Sequence, residues 1–295
     1  MFEASSTPRV FACAPGEDFA ALLVQGVLAR TAHLAPEFLA RVEIFVNTRR
    51  MQRRIVSLLS AQGARLLPRI RLVSDLAHDW AGDDIAPAVS PLRRRLELGQ
   101  LIAQLLESQP DLAPGSALFD LADSLALLLD EMQDEGVPPD AIRSLDVTDR
   151  SGHWQRSQMF LDVVERFFGH QDGAAPGIAA RQRRVTERLI ANWAQNPPDH
   201  PVIVAGSTGS RGSTAMLMVA VARLPQGAIV LPGFDFDLPE AVWENLGDAL
   251  SAEDHPQFRL ASIIGELNVA PSQVRSWQEG AKPLVPGGNQ VSSLA

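Results

Sequence analysis

Lysine is almost absent from this chain, because Lys282 is the only lysine among 26 basic residues and all the others are arginines. A phosphate-binding loop of the ATP-hydrolysing type needs a lysine directly after its last glycine, since that side chain reaches the outer phosphates. Lys282 lies in the C-terminal tail, after the last predicted strand. The sequence therefore argues against an ATPase loop of this type.

Cysteine is equally scarce, since Cys13 is the only one. One cysteine excludes a disulfide framework and any multi-cysteine metal or iron–sulfur site within this chain, and it fits a reducing cytoplasm. No apolar run approaches the roughly 18 residues that a membrane helix needs, and the first residues lack the pattern of a signal peptide. The histidines show no paired metal-ligand spacing. We therefore expect a cytoplasmic protein without a membrane partner, a metal or a cofactor.

The charge is acidic overall but unevenly distributed. A formal net charge of -9 argues against a protein wrapped in nucleic acid. Arginines nevertheless cluster in four short stretches, at residues 47–54, 68–71, 92–97 and 180–188. These stretches predict local positive faces on an acidic body.

Strands and helices alternate in two parts of the sequence, and a helical part separates them. Residues 1–80 contain three strand-and-helix pairs, and the strands "VIVAGS" and "GAIVLPG" follow residue 199 with a helix between them. This close succession implies parallel pairing with right-handed crossovers. We predict an α/β fold in which residues 1–80 and 199–247 form one parallel sheet. Residues 81–198 form an all-helical insertion domain, and residues 248–295 form a linker.

A glycine-rich turn follows the strand at residues 202–205. It has the layout of a phosphate-binding loop, because a strand turns sharply into a helix whose free N–H groups would face an anion. Arg211 precedes the last glycine and no lysine follows it, and an arginine fork cannot replace a lysine point charge in a fixed backbone cradle. We interpret the turn as a degenerate phosphate loop without a catalytic residue, able to touch an anion or a DNA backbone. It comprises Gly206, Ser207, Thr208, Gly209, Ser210, Arg211, Gly212, Ser213 and Thr214.

The string "LLLDEMQDEG", residues 127–136, has two interpretations. At the end of a buried strand, Asp130 would hold a magnesium ion and Glu131 would orient water, as in helicase ATPases. Apolar residues at three- and four-residue steps instead predict one helix face, and Gly136 is a typical C-cap. We favour the helix, with Asp130 and Asp134 largely exposed. The residues that we expect it to bury are Leu121, Leu125 and Leu128.

Asp235 and Asp237 lie in the loop after the strand "GAIVLPG". Two carboxylates at the carboxyl end of a strand would suit a cation, but acidic residues there more often cap the helix that follows. We favour the capping interpretation, for the helix "PEAVWENL".

Several strings, spread in a fixed order over nearly the whole chain, carry a family resemblance. They are "RVFACAPGEDF", "VEIFVNTRRMQRR", "RLLPRIRLVSDL", "LRRRLELGQLI", "LADSLALLLDEMQDEGVPP", "SGHWQRSQMFL", "HPVIVAGSTGSRGSTAMLM", "LPQGAIVLPGFDFDLP" and "EDHPQFRLA". Together they resemble the N-terminal part of the AddB family, the subunits that pair with AddA in bacterial helicase–nucleases for double-strand break repair. The resemblance implies a RecA-like domain of the superfamily 1 helicase type that carries a helical insertion.

The family resemblance also implies partners and a missing part. It implies an active nuclease domain with a cysteine-bound iron–sulfur cluster much further along, so we expect this chain, which ends at Ala295, to be a fragment or truncated product. In the family, the AddB subunit surveys the emerging single strand for a recombination hotspot sequence. We therefore expect AddA, single-stranded DNA and duplex-end DNA as partners.

The first predicted strand is followed by "FACAPGEDF", where a helicase of this type has its ATP loop. Pro15 and Gly16 are present there, without a lysine or a second glycine. The resemblance therefore implies a helicase-like body without a motor.

The start of the helix after the second strand is where related helicases grip single-stranded DNA. By this analogy the DNA contacts are expected at Thr48, Arg49, Arg50, Arg53 and Arg54. Arg49 and Arg53 have the alternative of pairing with nearby acids.

Two other functions stay open. One is a scaffold that docks AddA without binding DNA, with Trp154, Phe160 and Phe167 as partner surface. The other is an active ATP-dependent helicase domain, which needs a lysine that the sequence does not place.

Overall fold

The computed structural model describes residues 1–79, 85–108, 117–138, 141, 176–210, 212–247 and 252–278. The chain divides into two compact units. The first consists of Met1–Leu76, Arg188–Ser210 and Thr214–Ala295, and the second of Ala77–Glu187 and Arg211–Ser213. Within the ranges given above, no helix is long and apolar enough to cross a membrane.

The first unit is built on a parallel sheet. Its strands lie in the spatial order β3-β2-β4-β5-β1-β6, and every neighbouring pair is parallel. The prediction of an α/β fold with a parallel sheet is confirmed. The strands are β1 (Val10–Ala12), β2 (Glu43–Val46), β3 (Arg69–Leu72), β4 (Val202–Ala205), β5 (Gly227–Leu231) and β6 (Arg275–Ser276).

Helices surround the sheet and build the second unit. They are α1 (Phe19–Thr31), α2 (Arg49–Ser60), α3 (Leu76–Asp79), α4 (Pro91–Ser108), α5 (Leu118–Glu135), α6 (Ile178–Gln195), α7 (Gly212–Arg223), α8 (Glu240–Asn245) and α9 (Phe258–Glu266). Short 3-10 turns occur at Pro36–Arg41, Val73–Asp75 and Pro271–Gln273.

The central strands are buried along their whole length, and most of their residues are apolar. Burial on both faces explains why they read as continuous apolar runs rather than as alternating patterns. Successive side chains point to opposite faces, so each strand contributes to two cores. One core joins α1 and α2 to Ile44 and Ile203, and the other joins α7, α9 and residues 188–195 to Phe45 and Val204.

Residues 252–278 contribute a helix and a strand to the first unit, although we expected residues 248–295 to form a linker. α9 buries Phe258 and Ile263 in the core, and β6 pairs with β1. Trp277 follows β6 and is fully buried, and its indole N–H donates to the carbonyl of Leu23 over 3.2 Å. These residues therefore belong to the core of the sheet unit rather than to a linker.

The second unit has its own helical core. Leu98 and Ile102 of α4 pack against Ala122, Leu125 and Leu129 of α5. Residues 85–108, 117–138 and 176–187 contain helices and no strand.

The string at residues 127–136 is helical, as predicted. α5 ends at Glu135, and Gly136 caps it in the left-handed conformation with φ of 71°. Glycine adopts this conformation without a Cβ penalty, which is why it ends the helix here.

Burial along α5 differs in part from our expectation. Leu125 is buried as predicted, but Leu128 is 42% exposed and Asp134 is only 8% exposed, so these two predictions are wrong. Leu121 and Asp130 are half-buried. The buried face is rotated from the predicted one, because it follows Ala122, Leu125, Leu129 and Met132.

Candidate nucleic-acid interface

The loops that follow β1, β2, β4 and β5 lie at one edge of the sheet, because the carboxyl ends of parallel strands meet there. α2 leaves β2 over one face of the sheet, and α7 leaves the neighbouring β4 over the other face. This divergence makes β2 and β4 a topological switch point, a kind of position at which open α/β sheets bind ligands. The predicted DNA contacts and residues 206–210 flank this point.

A two-residue turn, Asn47 and Thr48, joins β2 to α2. Thr48 is the N-cap of α2, and its hydroxyl oxygen accepts a hydrogen bond from the N–H of Met51 over 3.2 Å. Threonine suits this position because its side chain satisfies an N–H group that has no partner inside the helix. The exposed Thr48 thus has a structural role at the position where the sequence predicted a DNA contact.

The arginines of α2 differ in their partners. Arg54 lies 3.0 Å from a carboxylate oxygen of Asp18, and both side chains are about half exposed. Arg49, Arg50 and Arg53 are exposed, and none of them has an ion-pair partner in the part of the chain that the structure describes. The alternative of acid pairing therefore does not apply to Arg49 and Arg53 within these residues. Three guanidinium groups are left facing solvent at the start of one helix.

Arg71 of β3 is not part of this exposed group. Its Nε lies 2.7 Å from Oε1 of Glu43, which is buried, and Oε2 of Glu43 lies 3.3 Å from Nε2 of His200. A buried carboxylate needs such partners, since an unpaired charge away from water is costly. Arg71 therefore neutralises a buried carboxylate of the neighbouring strand, while Arg69 on the same strand as Arg71 is exposed.

The first part of the glycine-rich turn has a backbone that only glycine adopts readily. Gly206 and Gly209 have φ of 74° and 68°. Ser207 is buried, and its hydroxyl oxygen accepts from the N–H of Gly209 over 3.2 Å. A Cβ at residue 206 would lie 3.1 Å from the ring of Phe19, so the turn also lies close to α1. Arg211 lies outside the described residues.

The second part of the turn is occupied by carboxylates. Residues 212 and 213 belong to the second unit, as do Asp134 and Glu135. The N–H of Gly212 donates to Glu135 over 2.9 Å, and the hydroxyl of Ser213 donates to Asp134 over 2.5 Å. A phosphate at this helix start would have to compete with these acidic groups. No local pattern in the sequence indicated this contact, because the partners are separated by 77 and 79 positions.

The loop after β1 is also filled by its own acidic side chains. Glu17 accepts from the N–H of Ala14 over 3.0 Å, and Asp18 accepts from the N–H of Ala21 over 3.1 Å as the N-cap of α1. The Ala21 N–H, and after it the Arg54 guanidinium, lower the pKa of Asp18 below its ordinary value. An ionised carboxylate therefore stands at the helix start where a helicase would bind phosphate.

The loop after β5 does not cap the next helix. The N-cap of α8 is Pro239, which has no side-chain hydrogen bond, so the predicted capping by Asp235 or Asp237 is wrong. Asp235 instead accepts from the N–H of Asp237 over 3.0 Å, because this short loop folds back on itself before Pro239. The described residues contain no cluster of three or more His, Cys, Asp or Glu side chains that could hold a metal ion.

No protein-family model matches this chain, and no curated protein matches it. Exposed guanidinium groups at a sheet's carboxyl edge can attract and hold phosphate groups, and such contacts position a nucleic acid without reading its bases.

Proposed function

We propose that this chain is the N-terminal, motor-inactive helicase-like region of an AddB-family subunit and that it contacts single-stranded DNA. The proposal includes a RecA-like, superfamily 1 identity for the sheet and an all-helical insertion domain at residues 81–198. Chain order supports the insertion, because β3 precedes α4 and α5, and β4 follows them in the same sheet.

The observation that carries the DNA contact is the exposed start of α2. Arg49, Arg50 and Arg53 lie within one and a half turns of a helix that begins at a topological switch point. An acidic protein binds nucleic acid only through a local basic surface, and these side chains supply one. Asn47 and Thr48 are exposed beside them and add polar groups.

The motor-inactive part of the proposal is supported by the two strand-to-helix turns that follow β1 and β4. Neither turn has a lysine, and the starts of α1 and α7 carry carboxylates as hydrogen-bond acceptors. Such groups repel the phosphates that a motor must bind.

The wider setting follows from the same family. In a cytoplasmic complex with AddA, this region would lie against the single strand that emerges from a duplex end, while the subunit surveys it for a hotspot sequence. The iron–sulfur cluster would belong to the downstream nuclease domain, since one cysteine cannot supply its ligands.

One observation favours the scaffold alternative. Leu92, Leu96 and Leu127 on α4 and α5 are 66%, 50% and 66% exposed, and large exposed apolar side chains are typical of protein contacts when they form a patch. Docking of AddA without DNA binding would use this unit and leave the arginines of α2 without a function.

Binding to single-stranded DNA separates the two functions. We expect the double variant Arg50→Ala/Arg53→Ala to bind fluorescent oligonucleotides more weakly, to a similar degree for every sequence, because phosphate contacts carry no base information. The salt dependence should flatten by about 1.4 in its logarithmic slope, because each of the two phosphate-binding arginines accounts for roughly 0.7. Fluorescence anisotropy at several salt concentrations measures both quantities.

The matched control is Arg69→Ala/Arg223→Ala. These two arginines are exposed and have no ion-pair partner among the described residues, and they lie at the start of β3 and just before β5, at the opposite edge of the sheet. This control changes the net charge equally and should leave DNA binding close to that of the unmodified chain. If Arg50→Ala/Arg53→Ala keeps its affinity and salt slope with an intact circular dichroism spectrum, the scaffold function replaces the DNA contact.

A further inference from the structure

The loop after β5 presents an aromatic side chain at the carboxyl edge of the sheet. Phe236 in this loop is 41% exposed, although phenylalanine is one of the largest apolar residues. A single exposed apolar side chain needs no explanation by itself, since folded proteins carry many of them. The contacts that fix the orientation of Phe236 distinguish it from this background.

Two buried aromatic rings support the ring of Phe236 from the core. The ring of Phe234 meets it edge-on, with 5.0 Å between the centroids and 61° between the planes. Phe234 is stacked in turn on Trp243 of α8, with centroids 4.8 Å apart, and both of these rings are buried. Aromatic pairs in such arrangements are stabilising beyond the area that they bury. The ring of Phe236 is therefore held by the core while a large part of it stays open to solvent.

The backbone of the same loop is fixed by hydrogen bonds on both sides of Phe234. The N–H of Phe234 donates to the carbonyl of Cys13 over 2.9 Å, which ties the loop to the end of β1. The buried side chain of Gln257 donates to the carbonyl of Gly233 over 2.9 Å and accepts from the N–H of Asp235 over 3.2 Å. Because one amide satisfies a donor and an acceptor of the loop, the loop is preorganised to present its exposed ring.

Phe236 lies within reach of a strand held by the arginines of α2. β5 is two strands away from β2 in the sheet, and both strands end at the same edge. Neighbouring strands lie about 4.8 Å apart, so roughly 10 Å separate the ends of β2 and β5. The phosphates of a stacked strand are spaced by about 3.4 Å, so about three nucleotides cover this distance. One single strand can thus contact Arg50 and Arg53 with its phosphates and Phe236 with a base.

The chemistry of the loop selects a base rather than a phosphate. The ring of Phe236 offers no hydrogen-bond donor and no positive charge, and its neighbours Asp235 and Asp237 disfavour a phosphate there. Every nucleobase has a π-face that stacks on an aromatic side chain, whatever the sequence. A base is therefore the part of a nucleotide that this loop can bind.

We propose that Phe236 is a base-stacking residue for the single strand whose phosphates contact the arginines of α2. Phe234, Trp243 and Gln257 are positioning residues, because they fix the ring and its loop without touching the nucleic acid. The inference rests on the DNA contact proposed above and adds a contact of a second kind. It requires a single strand, since each base of a duplex is already stacked on its neighbours.

Phe236→Leu tests the stacking contact, because leucine is apolar and has no π-face. We expect this variant to bind oligo-dT about five- to tenfold more weakly, in the lower part of the range for one stacked base. The logarithmic salt slope should stay unchanged, since no phosphate contact is lost. Phe236→Trp restores an aromatic face and should bind as tightly as the unmodified chain. Fluorescence anisotropy measures all three proteins, and a Phe236→Trp variant as weak as Phe236→Leu would contradict stacking.

An abasic oligonucleotide separates stacking from a structural role of Phe236. It keeps the phosphates and lacks the bases, so Phe236→Leu and the unmodified chain should bind it equally. The unmodified chain should bind it at least about fivefold more weakly than oligo-dT of the same length. An equal loss of Phe236→Leu on both oligonucleotides would assign the effect to a disturbed protein and overturn the stacking contact. Equal binding of both oligonucleotides by the unmodified chain would overturn it as well.

The matched control is Phe119→Leu. Phe119 belongs to α5 in the second unit, and it is 45% exposed, close to the value for Phe236. This substitution makes the same chemical change and should leave binding to oligo-dT as it is in the unmodified chain. Similar losses in Phe119→Leu and Phe236→Leu would show that the loss is not specific to the loop after β5, and stacking there would be wrong.

The stacking contact and the DNA contact of α2 fail in distinguishable ways. If the unmodified chain does not bind oligo-dT, or if Arg50→Ala/Arg53→Ala binds as well as it does, the DNA contact is wrong and the stacking contact falls with it. If the arginine variant loses binding and Phe236→Leu binds oligo-dT like the unmodified chain, the stacking contact alone is wrong.

Discussion

Cys13, at the carboxyl end of β1, is the clearest case in which surroundings decide the chemistry of a residue. Its side chain is buried, and burial, with a smaller contribution from Glu17, raises the pKa of Cys13 to about 12. The thiol therefore stays protonated in the folded chain, whereas the thiolate is the reactive form. The unfolded chain loses its thiol proton at a lower pH than the folded chain. The free energy of unfolding therefore falls as the pH rises from the ordinary thiol pKa towards 12.

Thiol labelling measures the protection of Cys13. We expect the native chain to react with a chromogenic disulfide reagent at about pH 8 at least tenfold more slowly than the chain unfolded in guanidinium chloride, because both access and the thiolate fraction are reduced. Equal rates in the native and unfolded chains would show that Cys13 is accessible and the β1 end open. The unfolded chain serves as the control, since it contains the same single thiol.

Residue-scale predictions succeeded where the reason was local. Gly136 as a C-cap depends only on its own conformation and on the preceding helix, and the sequence indicates it. The burial of Asp134 was missed because its partner, Ser213, lies 79 positions away. The pairing of Arg54 with Asp18 was missed for the same reason, since it requires the packing of α1 beside α2.

At the scale of elements, the junction of α1 with β6 depends on one glycine. Trp277 lies against Gly26 of α1, and a Cβ at residue 26 would overlap the indole ring. Arg30 closes the junction, with its guanidinium 3.9 Å from the indole centroid and its Nη1 donating to the Trp277 carbonyl. The edge strand β6 is thus stabilised by contacts of Trp277 with α1, a helix that lies some 250 residues earlier in the sequence.

Gly26→Ala tests this junction. Alanine favours a helix over glycine by roughly 0.5–1 kcal/mol, but overlap with a packed indole costs about 1–3 kcal/mol, so we expect net destabilisation. The matched control is Gly265→Ala in α9, where an added Cβ meets no atom within 4 Å and should stabilise the chain slightly. Urea unfolding compares the two, and a Gly26→Ala variant as stable as Gly265→Ala would contradict the packing.

Helices and strands could be predicted from the sequence where their apolar patterns are long and regular. β2, β4 and β5 were predicted because continuous apolar runs before glycine, asparagine or proline turns indicate buried parallel strands. β6 has two residues, Arg275 and Ser276, and no apolar pattern, so it becomes a strand only because β1 offers a free edge. α9 does have apolar spacing, but its place in the core follows from the sheet that it covers.

At the scale of the whole molecule, an acidic chain presents three exposed arginines close together at the start of α2. A net charge of -9 sets a repulsive background for any nucleic acid, so binding requires guanidinium groups that acids have not neutralised. The sequence could list the arginine clusters but could not rank them. Arg71 and Arg54 pair with acids distant in sequence, whereas Arg50 and Arg53 have no such partner within the part of the chain that the structure describes. The candidate site is therefore a property of the assembled sheet edge.

The same distribution of charge predicts that the chain does not turn over ATP. The two turns at which a helicase of this type would hold phosphate follow β1 and β4, and at each of them a carboxylate accepts one backbone N–H at the helix start. Without a lysine, the charge that develops on the transferred phosphoryl group also loses its main protein cation, a loss of several kcal/mol in the barrier. We expect no hydrolysis above the rate without protein in a coupled phosphate-release assay with magnesium, with or without single-stranded DNA.

The variant Thr214→Ala is the control for contaminating ATPases, because a contaminant's activity would survive it. Steady hydrolysis that Thr214→Ala abolishes would show that the glycine-rich turn is an active site. The alternative of an active ATP-dependent helicase domain would then replace the motor-inactive proposal.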